Sequence, residues 1–205
     1  MKVLAEIAAR SSPELRAGSL RRSDLAAYGG LLGQLDGARS VIVTGDGSRK
    51  RSVAAGLAAT AAALGSRTAL VECDLAEPGL ADALGLAHAP GLHEYLRGAA
   101  EVEAILKPVV LAGPGAAEAT EPLVCIVAGR SARDPSAMLA SERFRQAVAD
   151  LRSAYELVVL DGPSFDDRQA LGTALGMADV SLACVAVEES GRPPPVPVSG
   201  LVALH

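Results

Sequence analysis

The stretch that decides the fold is Ser40-Val-Ile-Val-Thr-Gly-Asp-Gly-Ser-Arg-Lys-Arg-Ser52. Its first five residues form a short apolar run rich in β-branched side chains, which reads as a buried strand. Gly45-Asp46-Gly47-Ser48 follows and reads as a turn. From about Arg51 to Leu64 the period becomes helical, with Val53, Leu57, Ala61 and Leu64 on one face and Gly65 as a stop. A turn feeding a helix N-terminus offers free backbone N–H groups and the positive end of the helix dipole. Arg49, Lys50 and Arg51 add three cations there. Phosphate is the natural guest of such a segment. The usual phosphate loop reads G-x-x-x-x-G-K-[ST]. Gly45 and Ser52 match its two ends, but Lys50-Arg51 stands where Gly-Lys is expected.

Working outward, four more apolar runs read as strands: 68–73, 123–127, 157–160 and 180–187. Helical patterns lie between them. Met138 to Ser153 is strongly amphipathic, and Asp167 to Met177 is also helical. Shorter pieces run from Leu92 to Arg97 and from Glu101 to Lys107, and residues 112–122 read as a loop. Upstream, Ser23 reads as the cap of a helix through Leu25, Leu31 and Leu35. Strands alternating with helices predict an α/β fold: a mostly parallel sheet with helices on both faces, in three layers. The expected organisation is a basic leader and helix over 1–37, the domain over 38–188, and a tail over 189–205. Pro193, Pro194, Pro195 and Pro197 predict that this tail is loose.

The 205 residues are 50% hydrophobic, enough for one sizeable core. Aromatics are only 2%, so Ala, Val and Leu must fill it. A net charge of −5 argues against nucleic acid as a partner. The charge is uneven. Residues 1–51 carry nine Lys/Arg against five Asp/Glu, and the remainder ten against nineteen, which hints at an anionic ligand near the first third. Cys73, Cys125 and Cys184 each sit in an apolar run and read as buried free thiols of a reducing, cytoplasmic protein. His88, His93 and His205 are too scattered for a metal site. No apolar run reaches the ~18 residues a membrane span needs.

In parallel α/β sheets, ligands bind beyond the carboxyl ends of the strands. Glu72 and Asp74 stand after the second of these strands, two residues apart and so on the same side of an extended chain. Such a pair can hold Mg²⁺ directly or through water. Asp161 follows the run 157–160 and precedes Gly162-Pro163, in the manner of a strand-end acid that contacts the water shell of a metal.

At this point the chain resembles the bacterial tyrosine autokinases of capsule and exopolysaccharide synthesis, in the MinD/ParA-like branch of P-loop ATPases. Val53-Ala-Ala-Gly-Leu-Ala58 is similar to the start of their P-loop helix. Leu70-Val-Glu-Cys-Asp-Leu-Ala-Glu-Pro78 resembles their second acidic motif, D-x-D-L-R-x-P. Gly91-Leu-His-Glu-Tyr-Leu-Arg-Gly98 resembles a G-L-x-x-x-L-x-G block. Ala128-Gly129 with Pro135 to Phe144, and Tyr155-Glu-Leu-Val-Val-Leu-Asp-Gly-Pro163, resemble two further blocks.

The resemblance implies ATP and Mg²⁺ as cofactors and a P-loop cradle of Gly45, Gly47, Ser48, Arg49, Lys50, Arg51 and Ser52. It implies catalytic roles for Lys50, Glu72, Asp74 and Asp161, with Ser52, Glu72 and Asp161 at the metal. In relatives the phosphate lysine precedes the first acid of the second motif by about 22 residues; from Lys50 to Glu72 is also 22. Lys50 is then the phosphate lysine, and the loop before it is about two residues short. Arg49 then replaces its last Gly, and Arg51 the metal Ser/Thr. The gapless alternative gives Arg51 the lysine role and Ser52 the metal. Ala76-Glu77 stands where the motif carries Arg, and the family's tyrosine-rich tail has no counterpart in residues 189–205.

Three functional readings follow. The first is an ATP-binding tyrosine autokinase of polysaccharide production. The second is a non-catalytic interaction module with weak or no nucleotide binding. The third is a ParA/MinD-type positioning ATPase, which the block from Pro135 to Phe144 fits less well. The implied partners are a membrane-bound polysaccharide co-polymerase and further copies of the chain. The implied location is cytoplasmic, at the inner face of the membrane through that partner.

Overall fold

A computed structural model describes residues 2–7, 22–35, 37–45, 47–111 and 122–204. Most of the leader, Asp46, most of the 112–122 loop and His205 lie outside them, as does the side chain of Ser23. Eight strands form one sheet: β1 (Val3–Ile7), β2 (Ser40–Gly45), β3 (Thr68–Glu72), β4 (Lys107–Val109), β5 (Leu123–Ile126), β6 (Leu157–Asp161), β7 (Val180–Ala186) and β8 (Gly200–Leu204). Their spatial order is β1-β8-β7-β2-β6-β3-β5-β4, and every pairing is parallel except β4 with β5. The five strands read from the sequence are all present. They are visible there because a parallel strand covered on both faces is a near-continuous apolar run.

The helices are α1 (Arg22–Leu32), α2 (Gly47–Ala63), α3 (Leu80–Leu84), α4 (Leu92–Leu96), α5 (Val102–Ile105), α6 (Pro135–Leu139), α7 (Glu142–Ala154) and α8 (Arg168–Leu175). Alternation along each strand divides the core between two faces. Val41 and Val43 of β2, Val159 of β6 and Leu182 of β7 pack with α1 and α2. Ile42 of β2 and Val158 and Leu160 of β6 pack with α7 and α8 on the other. This is the expected three-layer arrangement. Residues 52–63 of α2 are buried on every side, because α1 covers what the sheet does not. Its many alanines let it lie close to both.

Several boundaries differ from the sequence reading. The tail expected to be loose contributes β8, whose run Gly200–Leu204 is buried and pairs with β7 and β1. The preceding prolines hid that strand. The leader likewise supplies β1, whose short run at the sheet edge gave little signal. The helix expected from Met138 divides at Ser141, whose hydroxyl accepts the Phe144 N–H at 3.2 Å and caps α7. Phe144, Val148 and Leu151 then form its buried stripe. Leu64, assigned to the apolar face of α2, is instead 61% exposed just past the helix end.

Gly91 shows why the G-L-x-x-x-L-x-G block carries glycine. The N–H groups of Leu92 and His93 donate to the carbonyls of Val127 and Ala128, both at 2.8 Å, which draws the start of α4 onto the chain after β5. A Cβ on Gly91 would lie 2.4 Å from both Val127 O and Gly129 N. Neither is a side chain that can swing away. Gly91→Ala is therefore expected to lower stability by about 2–3 kcal/mol in denaturant unfolding. A loss too small to measure would show that these backbones separate easily.

Candidate functional site

The carboxyl ends of β2, β3 and β6 meet at one place. β2 and β3 flank β6, in the registers Val43 with Asp161 and Glu72 with Asp161. The sheet thus brings Glu72 and Asp161 side by side, with Asp74 just beyond. Backbone bonds tie the ends together. Cys73 N donates to Asp161 O at 2.8 Å, Gly162 N to Val43 O at 2.8 Å, and the Thr44 hydroxyl to Pro163 O at 2.7 Å.

The expected phosphate loop has a different form. The sequence pattern predicts a turn over Gly45 to Ser48 and a helix from about Arg51. Instead β2 ends at Gly45 and α2 begins at Gly47, so a single residue joins strand to helix. Gly45 has φ 149° and Gly47 φ 64°, conformations that favour glycine. Gly45 is also pressed on β7, where a Cβ would come within 2.6 Å of the Cys184 carbonyl. Gly47 and Arg49 are exposed, and the Ser48 side chain lies outside the described part of the structure.

Because the helix starts early, Lys50 falls in its first turn and points into the protein. It is 1% exposed. Its Nζ lies 2.9 Å from Asp74 Oδ2 and 3.2 Å from Asp161 Oδ1. Burial alone would push the ammonium down. The Asp161 and Asp74 carboxylates outweigh that and hold it above its ordinary value, so Lys50 is charged at neutral pH. Arg51 follows the same direction. Its Nε lies 3.5 Å from Glu72 Oε1 and 3.4 Å from Asp161 Oδ2, and its Nη2 donates to Glu77 O at 2.7 Å. The contact between Arg51 Nε and Asp161 Oδ2 has ion-pair distance but not hydrogen-bond geometry, and neither atom has another hydrogen-bond partner.

Glu72 is held by the backbone. Its Oε1 accepts the N–H groups of Gly79 and Leu80 at 2.6 and 2.7 Å, and its Oε2 accepts that of Ala128 at 2.8 Å. Burial raises its pKa above the usual carboxylate value despite these three bonds. Asp74 Oδ1 accepts the Glu77 N–H at 3.1 Å. The amides of Gly79, Leu80 and Ala128 were not foreseen as part of the site. Ala128 stands in one block of the resemblance, and Gly79 and Leu80 directly follow Pro78, the end of another.

The structure therefore brings Lys50, Arg51, Glu72, Asp74 and Asp161 into one buried cluster. Among the described residues no group of three or more His, Cys, Asp or Glu side chains is arranged to hold a metal ion. Ser52 is largely buried, and its carbonyl accepts the Tyr28 hydroxyl at 3.5 Å. The three cysteines are free and buried, as read, and burial pushes each thiol up.

Magnesium–nucleotide fits this arrangement poorly. A phosphate loop needs several residues between strand and helix to ring the phosphate with amides. The lysine that should reach the phosphates is committed to two carboxylates, and those carboxylates are committed to the protein's own cations.

This sheet order, with helices on both faces, is the three-layer fold of solved tyrosine kinase domains and of MinD. Within that fold, part of this chain is similar in sequence to bacterial tyrosine kinases. It is 32% identical over 114 residues to the tyrosine-protein kinase Wzc of Salmonella typhi, a match covering 56% of this chain but only 15% of Wzc. The kinase domain of the Escherichia coli tyrosine kinase ETK shares the fold with a TM-score of 0.76 at 18% identity, covering 99% of this chain and 91% of that one. MinD of Pyrococcus horikoshii, solved with Mg-ADP, shares it with a TM-score of 0.56 at 19% identity, covering 70% of this chain and 56% of MinD. No family model matches the chain.

Proposed function

We propose that this chain is a non-catalytic interaction module on the tyrosine-autokinase fold, serving capsule or exopolysaccharide machinery without binding ATP at the strand ends. One observation carries the reading: a single residue stands between β2 and α2. Phosphoryl transfer of this class depends on positioning and charge neutralisation by the loop, its lysine and a metal. Here the lysine neutralises Asp74 and Asp161 instead. The likeness to Wzc supports a setting in polysaccharide production, and the partner under this proposal is a membrane-bound co-polymerase. Association through that partner would bring the chain to the inner face of the membrane. No helix among the described residues is long and apolar enough to cross one.

The test is calorimetric titration with Mg-ATP and Mg-ADP up to millimolar nucleotide, with phosphotyrosine detection on the same samples. The expected result is neither binding heat nor phosphotyrosine. Saturable binding that is lost in Lys50→Ala and Asp161→Ala, together with phosphotyrosine formation, would sink the proposal in favour of the kinase reading.

A further inference from the structure

Three buried carboxylates converge where β2, β3 and β6 end, and burying them requires positive charge close by. Related folds bind nucleotide with a metal, as in MinD with Mg-ADP. This chain supplies positive charge from the start of α2. Lys50 and Arg51 together bring two charges, that of one divalent cation, against Glu72, Asp74 and Asp161. Of the two, Lys50 makes the cation-like contacts. Its ammonium stands between one oxygen of Asp74 and one of Asp161, on side chains that are 6% and 0% exposed.

We infer that Lys50 is a built-in cation: its Nζ takes the position a divalent metal would have to occupy between Asp74 and Asp161. The inference rests on the closed site described above and adds what closes it. The sheet end is held in one arrangement by the chain itself, with no dependence on metal or nucleotide.

The charge and the space follow from this assignment. Trimming Lys50 to alanine removes the ammonium and leaves two facing carboxylates, the hard oxygen ligands that Mg²⁺ and Mn²⁺ prefer. Methionine removes the charge but keeps the bulk. A ligand that binds only the folded state raises its melting temperature.

The experiment follows the melting temperature of the native chain, Lys50→Ala and Lys50→Met in chelator and in millimolar Mg²⁺ or Mn²⁺, with Mn²⁺ binding read by electron paramagnetic resonance. The expected result is no response from the native chain or from Lys50→Met. Lys50→Ala should melt lower in chelator, recover several degrees with either cation, and bind Mn²⁺ saturably. If Lys50→Ala does not fold in chelator, refolding in Mg²⁺ becomes the readout. Recovery then supports the assignment, and a chain unfolded in both conditions overturns it. A Lys50→Ala that folds but ignores both cations overturns it too, as does a native chain that responds equally. Mg-ATP should stabilise Lys50→Ala no more than Mg²⁺ alone. A larger effect of Mg-ATP would leave Lys50 as the built-in cation and instead count against the non-nucleotide reading of the strand-to-helix joint.

Discussion

Lys50→Met is expected to lower the unfolding free energy by about 3–5 kcal/mol in denaturant titration. The side chain is 1% exposed, so water cannot replace what it provides. Methionine keeps most of the packing volume, so the loss comes mainly from charge. Asp74 and Asp161 would then face each other without the ammonium between them. This gives the prediction a second half. Adding Asp74→Asn to Lys50→Met removes one of the stranded charges and should return part of the loss, so the two substitutions should not be additive. Additive losses would mean that Lys50 acts through packing rather than charge.

Glu72→Ala is expected to cost a similar amount, about 3–6 kcal/mol, for a different reason. It strands the buried N–H groups of Leu80 and Ala128 and the part-buried one of Gly79, and each buried unsatisfied donor costs about 1–3 kcal/mol. It also removes one acid from Arg51. Glu72→Gln keeps an acceptor oxygen and should cost clearly less. The motif that this segment resembles has Asp at this position, and the resemblance places Glu72 at Mg²⁺. In the structure the extra length reaches the backbone after β3 and β5. Equal losses for Glu72→Ala and Glu72→Gln would show that those three bonds contribute little.

The parts of the fold legible in the sequence were the ones with a simple physical signature. The central strands are continuous apolar runs because they are covered on both faces. The strands missed were at or near the edges. β4 is three residues long, carries Pro108 and runs antiparallel, while β8 follows a proline cluster that reads as loop. The acids of the site were legible for a similar reason. Each stands at or just beyond the end of an apolar strand, and the sheet order then forces Glu72 and Asp161 together.

The cations were legible in kind but not in direction. Lys50 and Arg51 beside two glycines look the same whether the segment loops outward around a phosphate or passes directly into a helix. Loop length decides between these, and a missing two residues is a weak signal when the glycines can be matched in two registers. Once α2 starts at Gly47, its first turn carries Lys50 inward, and the carboxylates meant for a metal become its partners.

The most direct measurement is a crystal structure of the native chain grown with excess Mg-ATP. Lys50 Nζ should remain between Asp74 and Asp161, with α2 still starting one residue after β2 and no nucleotide at the strand ends. Nucleotide density there, with Lys50 turned out onto its phosphates and a metal beside Asp161, would contradict the account.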